Sequence, residues 1–305
     1  MDAHEANAES EPTSVQAIGI IGLGLMGTAI ATRLLRAGYS VLGFDVASQQ
    51  RQSLAKIGGT VAETAGDVAA GCDTLLLSLP DSMVVERVVE SITPALCARH
   101  LLIDTTTGDP WQAPLLGAKL AAHSVRFLEA TVAGSSAQVY DGQVIVMAGG
   151  PADAFEASRA LLGTFAKEVM RVGAWGSAAR MKLVVNLALG LNRAVLAEAL
   201  TLAESLELDP RAALDVLRTS PAYSTVMDTK GSKMLARDFA PQARLSQHLK
   251  DVRLMLAAAE RTDMTLPLSL LHRMLLEQLE AAGHGELDNS AILLAFQKAK
   301  TFPRP

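Results

Sequence analysis

A chain of 305 residues exceeds what one hydrophobic core usually serves, so two domains are expected. Half the residues are apolar, the net charge is −5 and the basic residues are dispersed, which argues against the positive patch of a nucleic-acid surface. No apolar run approaches the roughly 18 residues of a bilayer span, so the high apolar content is read as core and oligomer interface rather than as membrane.

Residues 1–14 are acidic and polar without an apolar stretch. They read as a disordered tail rather than a signal peptide, which implies a cytoplasmic protein. Ala17–Ile21 (AIGII) reads as a short strand leading into Gly22-Leu23-Gly24-Leu25-Met26-Gly27, and the helical pattern that follows stops at Gly38, a C-terminal cap. Tyr39–Val46 reads as a second strand with Asp45 near its end. A glycine cluster alone also fits a plain turn, but strand, loop, helix, strand and acidic residue together point to a dinucleotide site. Gly22 permits the tight turn, Gly24 lets the backbone approach a pyrophosphate, and Gly27 lets the helix pack closely on the strand. Asp45 suits the ribose hydroxyls of NAD and repels the 2′-phosphate of NADP; Arg51 is the nearest cation in sequence, and NADP stays the alternative.

Further strands are expected at Asp73–Pro80 and Leu101–Asp104, with helices at Gln49–Lys56 and at Ser82–Ala98, broken near Pro94. The alternation predicts an α/β fold with a Rossmann-type, doubly wound, mostly parallel sheet. Ligands in such sheets sit beyond the carboxyl ends of the strands, where Leu79, Pro80, Asp81, Asp104 and Thr107 fall. Cys72 and Cys97 show no disulfide framework or metal-ligand spacing and are expected as buried small hydrophobes, so no metal is implied.

Beyond Gly176 the strand pattern ends. Apolar-periodic segments at Ser177–Glu207, Arg211–Arg218, Ser246–Arg261, Pro267–Ala282 and Asn289–Lys298 predict an all-helical second domain. The expected division is a dinucleotide domain over 15–176 and a substrate and oligomerisation domain over 177–305, assembling as a homodimer or homotetramer. Within the first of these helices Lys182 and Asn186 share a face, with Arg193 on the same side. Spacing alone equally fits a solvent stripe. Lys250 and Asp251 equally fit a surface ion pair, and His248, His272 and His284 lack triad or metal partners and are expected as structural or exposed.

The stretch GIIGLGLMG resembles the dinucleotide loop of the β-hydroxyacid dehydrogenases, the group that contains 3-hydroxyisobutyrate dehydrogenase, tartronate semialdehyde reductase and glyoxylate reductase. Later blocks follow in that family's order: Asp104-Thr105-Thr106-Thr107, Glu129 to Ser135, Val146 to Gly150, Gly173 to Asn186, Lys250-Asp251 and Asp288-Asn289-Ser290-Ala291. The resemblance implies NAD(P)-dependent interconversion of a small 3-hydroxy acid, or a related alcohol, and its aldehyde or ketone. Lys182 is then the acid–base group and Asn186 orients the substrate hydroxyl. It further implies cofactor contacts from Gly22 to Gly27, Asp45, Leu79, Pro80, Thr107 and Lys250. Substrate contacts are implied from Ala133, Gly134, Ser135, Lys182, Asn186 and Asp251. A lysine at 182 argues against the imine reductases.

The chain departs from the family in the substrate loop. Thr131 stands for proline, Ala133 for the serine that would bind a carboxylate, and Ser135 for glycine. The amides of Gly134 and Ser135, with the hydroxyl of Ser135 or Ser136, are expected to hold an anion instead. Poor use of 3-hydroxyisobutyrate is expected, with better use of a bulkier or less anionic compound. The same departure supports a competing reading, a non-catalytic nucleotide-sensing or scaffold protein on this fold.

Overall fold

The computed structural model describes residues 17–297, and the expected tail over residues 1–14 lies outside them. In chain order the first part runs β1 (Ala17–Ile21), α1 (Leu25–Arg36), β2 (Ser40–Phe44), α2 (Ser48–Lys56), β3 (Thr60–Val61), α3 (Ala65–Gly71), β4 (Thr74–Leu77) and α4 (Ser82–Ile92). It continues with β5 (Leu101–Asp104), α5 (Gln112–Ala122), β6 (Arg126–Ala133), α6 (Ser136–Tyr140), β7 (Val144–Gly149), α7 (Ala152–Leu162) and β8 (Ala166–Gly173). The helical part comprises α8 (Ser177–Ser205), α9 (Pro210–Thr219), α10 (Thr225–Ala236), α11 (Leu245–Arg261), α12 (Pro267–Leu279) and α13 (Leu293–Gln297).

The eight strands form one sheet in the order β3-β2-β1-β4-β5-β6-β7-β8. Helices cover both faces, which is why β4 reads as an unbroken apolar run with every residue buried. Two apolar cores result, one on each face: Ile18, Ile20 and Leu76 belong to one, and Ile21, Leu75 and Leu77 to the other. One pairing is antiparallel, β6 with β7. Only ten residues, with the short α6, separate these strands, fewer than the dozen or so that a parallel crossover needs. The chain therefore turns back before β8 resumes parallel to β7.

Several expectations shift. The second strand stops at Phe44, so Asp45 stands in the loop beyond it. The helix from Ser82 closes at Ile92 with a 3-10 turn over Thr93–Ala95. β3, α3, α5, β6, α6, α7, β8 and α10 have no counterpart in the expected elements. Gly283, at φ +85°, kinks the chain and ends α12 at Leu279 rather than Ala282. Asn289–Ile292 is a 3-10 turn before α13, and Lys298 lies outside the described residues. Cys72 is buried as expected, but Cys97 is exposed.

The expectation that no segment suits a bilayer also changes. α8 is long enough and apolar enough to cross one by length and composition alone, with a mean hydropathy of 1.5 over its most apolar stretch. Its place in the fold is that of a core helix: Lys182, Asn186 and Arg193 are buried along it, and Leu183, Leu196 and Leu200 join the apolar core of the helical domain.

Candidate active site

The glycine loop has the shape a dinucleotide needs. Gly22 sits at φ +95°, and a Cβ there would stand 2.3 Å from the Ser78 carbonyl oxygen. A Cβ on Gly27 would stand 2.0 Å from the Gly22 carbonyl, so α1 packs on the turn as no other residue allows. Around Gly24 the space is open to 4 Å, at the N-terminus of α1, whose first turn carries no acidic residue. That combination of room, free helix end and positive dipole fits a pyrophosphate. The Asp45 carboxylate accepts from the Leu23 amide at 2.7 Å through Oδ2 and from the Ala47 amide at 2.8 Å through Oδ1. Two amides thus fix its orientation beside the loop.

The Leu23 side chain is fully buried and its amide is engaged by Asp45, so Leu23 shapes the loop from behind; Leu25, half exposed, and Met26 form its outer part. Arg51, which in sequence is only the nearest cation, donates to the Asp45 main-chain carbonyl at 2.6 Å and stacks over Phe44 at 5.8 Å.

Beyond β4 and β5 the loops are tied together. The Leu79 amide donates to Thr106 Oγ1 at 3.1 Å, and Thr105 Oγ1 donates to the Leu77 carbonyl at 2.8 Å. Lys250 reaches across from α11 and donates to the carbonyls of Pro80 at 2.9 Å and Thr107 at 2.8 Å. Residues expected at the cofactor thereby form one bridge between sheet and helices, a role that a surface ion pair would not have.

α8 starts where β6 ends, and several bonds pin it there. The buried Glu129 carboxylate accepts the Gly176 amide, Trp175 Nε1 donates to the Phe127 carbonyl at 3.0 Å, and Thr131 Oγ1 donates to the Ala178 carbonyl at 3.2 Å. Burial pushes the Glu129 carboxyl up to about 7, with its neighbour Asp104 adding to the rise. Asp104, opposite it in the β5–β6 register, is likewise pushed up to about 6 by burial. Lys182, on the next turn, donates to the Val132 carbonyl at 2.6 Å. Burial lowers its ammonium to about 8, against the opposing pull of Asp251, while Lys250 adds to the lowering. Asn186 Nδ2 donates to Asp251 Oδ2 at 2.8 Å, and Lys250 Nζ stands 3.6 Å from Asp251 Oδ1. Burial also raises the Asp251 carboxyl, with Lys250 and Lys182 opposing. Lys182, Asn186, Lys250 and Asp251, widely spaced in sequence, thus form one cluster, and the solvent-stripe alternative for this face of α8 is lost with their burial.

The substrate loop differs from expectation. Ser135 is the N-cap of α6: its amide donates to Gln138 Oε1 at 2.9 Å, and its hydroxyl accepts the Gln138 amide at 3.3 Å. Both groups are engaged by Gln138. Ser136 is buried, Ala133 is partly buried, and Gly134 sits at φ +151°, where a Cβ would strike Val144 at 2.5 Å. The sequence carried the signal, since Ser135-Ser136-Ala137-Gln138 has the spacing of a capping box. Glu129 and Thr131 as anchors of α8 had no such local sign, because their partners lie 47 residues away.

Comparison with known proteins agrees with this geometry. Residues 17–173 match the model of the NAD-binding domain of 6-phosphogluconate dehydrogenase. Residues 176–296 match the NAD-binding model of NADP-dependent 3-hydroxyisobutyrate dehydrogenase. The chain is 31% identical to L-threonate dehydrogenase of Cupriavidus necator over 92% of its length and 95% of that protein. It is 28% identical to the cytokine-like nuclear factor N-PAC of Drosophila melanogaster, covering 92% of this chain but 47% of that one. The solved 3-hydroxyisobutyrate dehydrogenase of Mycobacterium tuberculosis superposes with a TM-score of 0.83 at 27% identity, over 93% of this chain and 99% of that one. Matched along both halves and beyond 30% identity to a full-length relative, the chain belongs to the β-hydroxyacid dehydrogenase family, NAD(P)-dependent oxidoreductases acting on CH–OH groups.

Proposed function

We infer that the enzyme interconverts a small 3-hydroxy acid, or a related alcohol, and its aldehyde or ketone, with Lys182 moving the proton. The observation that carries this reading is the Lys182 amine, buried beside the Asn186–Asp251 pair and lowered to about 8. An amine that titrates near working pH serves both directions: neutral, it accepts the hydroxyl proton; charged, it returns one to a carbonyl oxygen. A nicotinamide bound at the loop after β1 supplies or accepts the hydride. The Val132 carbonyl holds Nζ in place, and Asp251 keeps the Asn186 amide turned to one side. Lys250 ties the loops after β4 and β5 to α11 beside the cluster.

NAD(H) is the preferred cofactor on this reading, because the Asp45 carboxylate is fixed by two amides and Arg51 is turned to main-chain carbonyls. With Ser135 engaged in its capping box, a compact anionic substrate such as 3-hydroxyisobutyrate is left with the Gly134 amide at this loop, which favours a bulkier or less anionic compound. The roles of Leu79, Pro80, Thr107 and Gly134 at the ligands, and a homodimer or homotetramer built on the helical domain, belong to the same proposal. NADH oxidation with a panel of short aldehydes tests it. Turnover supports the dehydrogenase reading, whereas tight NADH binding without turnover of any member supports the nucleotide-sensing alternative.

A further inference from the structure

Lys182, Asn186, Gly190 and Arg193 fall on one face of α8, and the polar line does not stop at the active site. A Cβ on Gly190 would stand 2.5 Å from His248 Nε2 and 2.9 Å from His272 Cε1, so glycine here lets two imidazoles lie against the helix. The rings are tilted against each other at 49° with centroids 5.2 Å apart. Arg193 is 7% exposed, and its Nε and Nη1 are buried without a hydrogen-bond partner, as is His248 Nε2.

The nearest acid does not answer this charge. Asp288 influences Arg193, but its oxygens are saturated by Lys230 at 2.8 and 2.9 Å, by Ser290, and by the amides of Gln242 and Ala243. Burial lowers the Arg193 guanidinium to about 10, so it stays charged at neutral pH. Burial, reinforced by Arg193, drives His248 well below its ordinary value and His272 to about 4, so both rings are neutral. The result is a buried cation with two idle guanidinium donors and a neutral imidazole, an arrangement that is costly when left unpaired.

We propose that Arg193, His248 and His272 form an anion-binding site inside the helical domain, taking a carboxylate or a small oxyanion. Nε–H and the Nη1 amine lie on opposite edges of the guanidinium, so each offers a single N–H to an oxygen, and His248 Nε2 offers a third polar contact. Eleven residues of helix place Arg193 about 16 Å beyond Lys182 along the axis. An acid group reaching it therefore belongs either to an extended substrate or to a separate anion.

Thermal unfolding of the full chain, with the glycine loop filled by saturating NADH, tests the site in sodium acetate and in sodium phosphate, with ionic strength held by sodium HEPES as the comparison anion. The expected result is a saturable rise of about 3–6 °C in wild type with at least one of the two anions, smaller in Arg193→Lys and absent in Arg193→Met. A wild-type midpoint indifferent to both anions, or an undiminished rise in Arg193→Met, overturns the proposal. Because the readout is binding, it stands or falls apart from any hydride-transfer activity. Steady-state kinetics then separate the sources. Acetate or phosphate raising KM for the aldehyde acid at constant kcat assigns the site to the substrate's own acid group; an unchanged KM assigns it to a free anion.

Discussion

In the sheet domain the buried polar groups are answered within the fold. His100, fully buried, accepts the Cys97 amide at Nδ1, which leaves Nε2 to donate to the Ala69 carbonyl at 2.9 Å. Asp104 accepts the Thr106 amide, and Glu129 accepts from the start of α8. In the helical domain the reverse holds: among the described residues, every buried side-chain nitrogen or oxygen without a hydrogen-bond partner belongs to residue 193 or later, Asp251 Oδ1 and Asn289 Oδ1 included. The sheet half is finished within the fold, while the helical half leaves some donors and acceptors, Arg193 Nε and Nη1 among them, without a hydrogen-bond partner. Such groups cost stability until something binds, as expected where specificity is set.

The largest effect that can break this contrast is at Lys182. Lys182→Ala is expected to lower single-turnover reduction of an accepted aldehyde by about 100- to 10,000-fold, some 3–5 kcal/mol of barrier. NADH affinity, followed by fluorescence titration, is expected to stay within a few fold, because the glycine loop and Asp45 do not touch the lysine. A rate within a few fold of wild type removes Lys182 from the chemistry. In the wild type, oxidation should gain as pH rises through about 8, where the amine loses its proton, and reduction should fade over the same range. A profile flat between pH 7 and 9 in both directions contradicts the assignment.

Two glycines compare the halves directly. An added methyl at Gly27 meets a backbone oxygen at 2.0 Å that has nowhere to go, whereas at Gly190 it meets imidazoles that can swing. Gly27→Ala is expected to cost about 3 kcal/mol and Gly190→Ala about 1–2 kcal/mol in urea unfolding. Equal costs would show the helical core to be as unyielding as the sheet.

Asp45→Asn keeps the oxygen that accepts from Leu23 but removes the charge. The ratio of kcat/KM for NADH over NADPH is expected to fall about tenfold, or 1.4 kcal/mol; an unchanged ratio would mean that Asp45 serves only to tie the loop.

The smallest effect concerns the finished half. Glu129 holds its proton more tightly folded than unfolded, so the stability it contributes is full below its ordinary carboxylate range and is lost as pH rises through about 7. Glu129→Gln is expected to shrink the stability difference between pH 5 and pH 8 by about 1 kcal/mol, measured by chemical unfolding. No change would mean that the carboxyl is already ionised at pH 5.

What could be read in advance follows the same division. β1, β5 and the start of α8 fall where the sequence puts them, because a glycine turn, an apolar run of four or five and a long helical period are local signals. α10 went unread, since its Thr225–Ala236 stretch includes Gly231, whose lack of a side chain serves Leu214 of α9 rather than its own helix. Arg193 looked like a solvent stripe because its burial is decided by α11 and α12, more than 50 residues away. Ser135 is legible as a cap from the Ser-x-x-Gln spacing that precedes α6.

α8 is about 43 Å long, a stiff rod clamped at one end by Glu129, Thr131 and Lys182 itself. Lys182 lies only five residues from the clamped tip, about one-sixth of the way along. In such a lever the amine sits next to the fulcrum: a 1 Å sway at Ser205, from neighbouring helices or from a bound subunit, displaces it by about 0.2 Å. Misplacement of a reacting group by an ångström can cost a hundredfold in rate, so in the proposed role of Lys182 a short arm shelters the amine from motions at the far end of the same helix.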